Sequence, residues 1–227
     1  MAEPFNDAER AAVYRAIYER RDMRHFVPAP VDPLVLRRLI DAAHHAPSVG
    51  FMQPWRIARI TDQALRHALH AAVERERMLT ADALGERQDE FMKLKVEGML
   101  ECGELLVLGL MDGREKHVFG RRTLPEMDLA SVACAIQNMW LAARAEGLGM
   151  GWVSLFDADE VRTLLRMPAG ARPVAILCLG HVETFYPEPM LETQRWATRM
   201  PVADCVFENR WPDPAEATGP TAADDAS

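Results

Sequence analysis

The stretch 128–146, DLASVACAIQNMWLAARAE, is apolar nearly all the way round a helix, interrupted mainly by Ser131, Gln137, Asn138, Arg144 and Glu146. Such a helix is buried on most sides, either in a core or across a subunit interface. The rest of the chain has to supply the layers that cover it. With 227 residues, 49% of them hydrophobic, there is material for one large domain or two small ones.

The candidate layers mix helices and strands. Asn6 and Asp7 can cap a helix over 8–20, with Ala12 and Ile17 on its apolar side. Asp32 precedes Pro33, a favoured first helical residue, and Leu36, Leu39, Ile40 and Ala43 then recur at helical spacing until Pro47. The run 46–55, APSVGFMQPW, holds two prolines and a glycine and reads as a shaped loop. Residues 56–61 alternate as a strand, and 63–79 form a helix whose apolar face is Leu65, Ala68, Leu69, Ala72 and Val73. The charged stretch 81–98 is helical with a poor pattern and suits a mobile lid. Strands are predicted at 105–111, 152–156 and 173–180, with a helix near 157–166. No repeat or linker divides the chain, so one α+β domain over 1–211 is expected. The tail PDPAEATGPTAADDAS after Trp211 is expected to be disordered, being too polar and small-residue-rich to bury itself.

Composition narrows the function. A net charge of −8 argues against nucleic acid or an anionic membrane as partner. No apolar run approaches the ~20 residues of a membrane span, and MAEPFNDAER lacks the features of a signal peptide. Cys102, Cys134, Cys178 and Cys205 stand far apart in sequence without zinc-ligand spacing, which fits reduced thiols in a cytoplasmic protein. His67, His70 and Glu74 have i, i+3, i+7 spacing, as in a two-histidine, one-carboxylate iron site. They lie opposite the apolar face of their helix, however, and read as a solvated surface, so no metal is expected.

Three constellations can carry chemistry. Arg20, Arg21 and Arg24 surround Asp22 and could hold a phosphate bidentately beside a proton-transfer group. Equally, arginines there can simply complement a helix C-terminus. Ser48 and Gln53 offer hydrogen bonds within an aromatic and apolar loop, which suits a flat heteroaromatic ligand; an ordinary rigid connection is the alternative. Gly147, Gly149 and Gly151 before Ser154 would let backbone approach a ligand, or would cap a helix and turn the chain.

Taken together, 19–26 (ERRDMRHF), 46–55 (APSVGFMQPW) and 141–156 (LAARAEGLGMGWVSLF) resemble the nitroreductase superfamily, and more narrowly its aerobic 5,6-dimethylbenzimidazole synthases. The likeness runs from about Glu9 to Trp211. Ordinary nitroreductases usually carry a serine after the two arginines, whereas this chain has Asp22, a departure the synthases share. The resemblance implies a three-layer α/β/α sandwich around a mixed, mainly antiparallel sheet. It also implies an intertwined homodimer with two FMN sites at the subunit interface. Arg20, Arg21, Asp22, Met23, Arg24, Ser48, Val96, Ser154 and Arg199 become FMN contacts, with Asp22 and Ser154 at the catalytic carboxylate and hydroxyl positions. The implied reaction is oxygen-dependent fragmentation of reduced FMN to 5,6-dimethylbenzimidazole and D-erythrose 4-phosphate, with a separate NAD(P)H-dependent flavin reductase supplying the FMNH2. An NAD(P)H-dependent nitroreductase or flavin reductase that recycles its FMN, and a non-catalytic FMNH2 carrier, are the competing readings. Asp22 favours the synthase.

Overall fold

A computed structural model describes residues 3–212, so the tail expected to be disordered falls almost wholly outside the described residues. The chain separates into a unit up to Met190 and a second from Leu191 onward. In the first unit, α1 (Asp7–Glu19) opens on an Asn6–Glu9 capping box, and α2 (Pro33–His44) is capped by Asp32 with proline in its first turn. Next come β1 (Trp55–Arg59), α3 (Gln63–Ala83), α4 (Gln88–Met92), β2 (Glu104–Leu110), α5 (Met127–Ala145), β3 (Gly149–Val153), α6 (Ala158–Leu164) and β4 (Arg172–Gly180).

The sheet runs β1-β2-β4-β3, with every neighbouring pair antiparallel. An isolated parallel bridge between Asp22 and Met150 adds the chain after α1 to its β3 edge, which makes the sheet mixed. Strand alternation sorts the core into two layers. Leu106, Leu108 and Leu110 with Ala175, Leu177 and Leu179 face α2 and α5. Leu105, Val107, Ile176 and Cys178 face the opposite way, into the cluster that includes Leu69 and Val73 of α3 and Val161 of α6. The result is the expected three-layer sandwich. At 25 cal/mol per Å², burying each large aliphatic side chain in it contributes roughly 1.5–3 kcal/mol.

Helix α5 is the central helix of its layer. Val132, Ala135, Ile136, Met139 and Ala143 are fully buried, while Leu129, Ala130, Cys134 and Gln137 form an exposed stripe. Helix α1 departs further from expectation. None of its residues is buried, and Val13, Tyr14, Ile17 and Tyr18 all stand exposed, although the pattern reads as amphipathic. Among the described residues these four keep 41–69% of their surface exposed.

Two local readings need correction. Helix α3 continues to Ala83 instead of ending near residue 79; its last turns carry charge rather than an apolar repeat. The strand expected at 152–156 instead runs from Gly149 to Val153, so Gly149 and Gly151 lie inside β3. Gly147 does terminate α5, with φ +76°. Gly149 and Gly151 serve another purpose: a Cβ on Gly149 would lie 2.5 Å from Val182 Cγ1, and one on Gly151 would lie 2.2 Å from the Met23 carbonyl oxygen. The space they leave is filled by the protein itself: side chains of Val182 and Met23 at Gly149, and the Met23 backbone at Gly151. Cys102 and Cys178, far apart in sequence, are both buried in one core cluster, where the Cys102 thiol donates to the Met99 carbonyl at 3.6 Å.

Candidate flavin site

The arginine cluster begins where α1 stops. Arg20 adopts an extended conformation (φ −60°, ψ 136°), and the chain then runs along β3, with the Met23 amide donating to the Met150 carbonyl at 3.0 Å. Extended backbone sends alternate side chains to opposite sides. Met23 drops into the core at 0% exposure, its backbone buried along with its side chain. Asp22 and Arg24 share the other side. One Asp22 carboxylate oxygen accepts from the Trp152 amide at 2.9 Å, and the other from Arg24 Nη2 at 2.6 Å. Arg24 Nη2 also donates to the Trp152 carbonyl at 2.9 Å.

This clamp has an electrostatic signature. Although 42% of the Asp22 side-chain surface reaches solvent, the protein around it raises its carboxyl above the ordinary aspartate value by burial. The opposing pulls of Arg24, the Trp152 amide and Arg20 are smaller. Such a group takes up a proton at higher pH than a free carboxylate, as a proton carrier should.

The arginines divide their work. Arg20 lies over the Trp140 ring, 4.5 Å from its centroid. Arg21 donates to the carbonyls of Tyr18, Arg20 and Pro187, so its Nη groups complement the helix end, which is the plainer of its two readings. Arg24 is buried, with Nε and Nη1 lacking any hydrogen-bond partner among the described residues. Buried guanidinium nitrogens in that state call for an anion or another acceptor. The cluster therefore fits a ligand combining negative charge with an aromatic system, as FMN does. Sequence reasoning missed Tyr186, whose hydroxyl accepts from the Arg24 amide at 3.2 Å and lies 2.6 Å from His25 Nδ1. Nothing in its spacing marks it, because the contact spans 162 residues.

Ser154 follows β3 and is exposed, its hydroxyl without a partner among the described residues. Ser48 sits elsewhere. Its Oγ accepts from the Gln53 amide at 3.0 Å and closes a loop in which Gly50, Phe51 and Gln53 all have left-handed φ between 49° and 53°. Non-glycine residues held that way store strain, and such strain gathers at binding sites. Buried Ser131 supports the loop by accepting from the Val49 amide at 3.0 Å. Ser131 and Trp140 are nine residues apart on α5, or about 14 Å of helix at 1.5 Å per residue. One chain thus holds the serine loop and the arginine cluster at separate points. Val96 is half-buried between α4 and β2. The segment carrying it is docked by buried Phe91 and Leu94 and by Arg77, which donates to the Met92 and Leu94 carbonyls. Arg199 lies in the second unit, exposed, its amide donating to Glu192.

The Nitroreductase family model matches residues 17–181, and the chain belongs to the nitroreductase family. Its curated relatives narrow the class. A 5,6-dimethylbenzimidazole synthase from Rhodospirillum rubrum is 41% identical over 187 residues, covering 80% of this chain and 87% of the relative. A second, from Rhodobacter capsulatus, is 37% identical over 199 residues, covering 87% and 96%. Among solved structures, oxidized iodotyrosine deiodinase bound to FMN and 3-iodo-L-tyrosine superposes with a TM-score of 0.68 at 23% identity, covering 88% of this chain and all of that one, which confirms the fold.

Proposed function

We propose that this chain is a 5,6-dimethylbenzimidazole synthase, which uses O2 to fragment reduced FMN into 5,6-dimethylbenzimidazole and D-erythrose 4-phosphate. The 41% identity to a synthase over most of both chains carries this reading. The Asp22 clamp supports it, because an acid–base carboxylate replaces the serine that the resemblance gives to ordinary nitroreductases. When bound, reduced FMN supplies both the electrons for O2 and the carbon skeleton of the product. Arg24, through Nε and Nη1, and Arg20 would hold the flavin's anionic end, with Arg199 a further phosphate candidate. Met23 would pack beneath the site, Arg21 would set the helix end, and Ser48 and Val96 would bound the ring. Asp22 would take and return the proton at the sugar carbon that becomes part of the product, with Ser154 orienting the reacting flavin. A separate NAD(P)H-dependent reductase would supply the FMNH2 in the cytoplasm, where thiols such as Cys102 and Cys178 stay reduced. No helix among the described residues is long and apolar enough to cross a membrane.

The test is stoichiometric. Protein given FMNH2 and air should consume flavin and yield at most one benzimidazole per FMN, read by mass spectrometry. Sustained NADPH oxidation on nitroaromatics with total FMN constant would instead make it a nitroreductase.

The bare apolar face of α1, the exposed stripe on α5 and the separated half-sites support a homodimer with FMN between subunits. Sedimentation should give a dimer. A stable monomer that binds FMNH2 tightly would refute this assembly.

A further inference from the structure

We infer that His70, Glu74 and Glu97 form a divalent metal site, independent of the flavin chemistry, that fastens α3 to the segment preceding β2. One ligand atom from each of these residues falls within a common 4.8 Å. The expected solvated face holds for His67, which is exposed, but not for its neighbours: His70 and Glu97 keep only 24% and 16% of their side-chain surface exposed. The pattern misses the site because Glu97 comes from beyond α4 and folds back onto the helix.

The distances favour an ion over a simple pair. His70 Nε2 stands 3.6 Å from Glu97 Oε1, too long for a hydrogen bond. Metal–ligand bonds of about 2.0–2.1 Å in tetrahedral geometry, however, put neighbouring ligand atoms about 3.4 Å apart. Glu97 is also pre-aimed: its Oε2 accepts from the Met99 amide at 2.5 Å, which leaves Oε1 turned toward His70. Outer contacts of this kind orient metal ligands. His70 and Glu74 are one turn apart on α3, so both reach the same point.

The charge is open too. Arg77 is the nearby cation, but it approaches Glu74 Oε2 only at 3.5 Å and spends Nη2 on the Met92 and Leu94 carbonyls. Two carboxylates against one guanidinium leave a negative charge that a divalent ion would balance. An imidazole with two carboxylates suits zinc or a neighbouring transition ion, and partial exposure leaves room for water as a further ligand. Glu97 adjoins Val96, so the ion would tie down the flavin-facing part of the candidate lid.

The experiment is a Zn(II) titration of the full-length, metal-stripped protein, alongside His70→Ala, Glu97→Gln and His67→Ala, each checked for native circular dichroism. The expected result is one saturable Zn(II) per chain, weakened roughly 10–100-fold by His70→Ala and by the isosteric Glu97→Gln and unchanged by His67→Ala. Hydrogen exchange over 93–103 should slow with Zn(II) in the wild type and in His67→Ala, but not in His70→Ala or Glu97→Gln. Zn(II) held at exposed Cys134 or Cys205 would not respond to these substitutions. A titration curve that His70→Ala and Glu97→Gln leave unaltered therefore overturns the proposal, as does no saturable binding.

Discussion

Asp22→Asn is expected to bind FMNH2 yet form benzimidazole some 10²–10⁴-fold more slowly than wild type, the usual cost of losing a general acid or base. The geometry makes this a demanding test, because Asp22 also holds Arg24 through a 2.6 Å ion pair. Asparagine keeps an oxygen for the Trp152 amide but gives up the charge facing a buried guanidinium. If Asp22 only anchors Arg24, flavin affinity and thermal stability will fall together while the rate per bound flavin survives. If it moves protons, the rate profile should lose its acid limb, which in wild type is shifted upward from that of an ordinary aspartate because burial raises this carboxyl. The sign follows: protonation on lowering pH removes the base. Ser154→Ala should show a smaller loss, since water can replace an orienting hydroxyl. Fluorescence-monitored binding followed by admission of O2 separates the cases. Near wild-type turnover by Asp22→Asn would end the catalytic assignment.

Gly151→Ala is expected to damage the flavin site without touching flavin. Its Cβ would lie 2.2 Å from the Met23 carbonyl oxygen and 3.1 Å from Arg24 Nη1. Backbone sits on both sides of the collision, so the chain carrying Arg20 to Arg24 must lift off β3. Overpacking of this kind costs about 1–3 kcal/mol, and FMN affinity should fall with it. Gly147→Ala is the control. Nothing lies within 4 Å of its Cβ, but its φ is +76°. Conformational strain alone should cost roughly 1–2 kcal/mol there and leave affinity intact. Denaturant midpoints and flavin titration measure both; equal affinities for the two variants would show that the close approach at Gly151 does not position the arginines.

Periodicity and caps made most of the architecture legible. Asp32-Pro33 marked α2, and the apolar run 128–146 marked the helix that both half-sites lean on. The arginine motif and the serine loop were also visible as chemistry-bearing groups. What stayed hidden depends on distant approach. Gly149 and Gly151 read as a ligand cradle because sequence cannot say what comes near, and here it is Val182 and Met23 of the same chain. Arg21 looked equal to Arg24 until the Tyr18 and Pro187 carbonyls claimed it. Tyr186 and Glu97 meet their partners across turns that no local pattern encodes.

Helix α1 has thirteen residues and none of them is buried. A helix of that length is marginal in water unless something packs on it. Its last turn nevertheless sets where Arg20 and Arg21 begin, and its hold on the rest of the chain includes the Glu19–Arg144 ion pair. If a second copy covers α1, ordering of the arginines and association of subunits are one equilibrium. Apparent flavin affinity would then rise with protein concentration by mass action. In a cell, the abundance of the chain would set the fraction competent to bind flavin, a form of control that needs no effector.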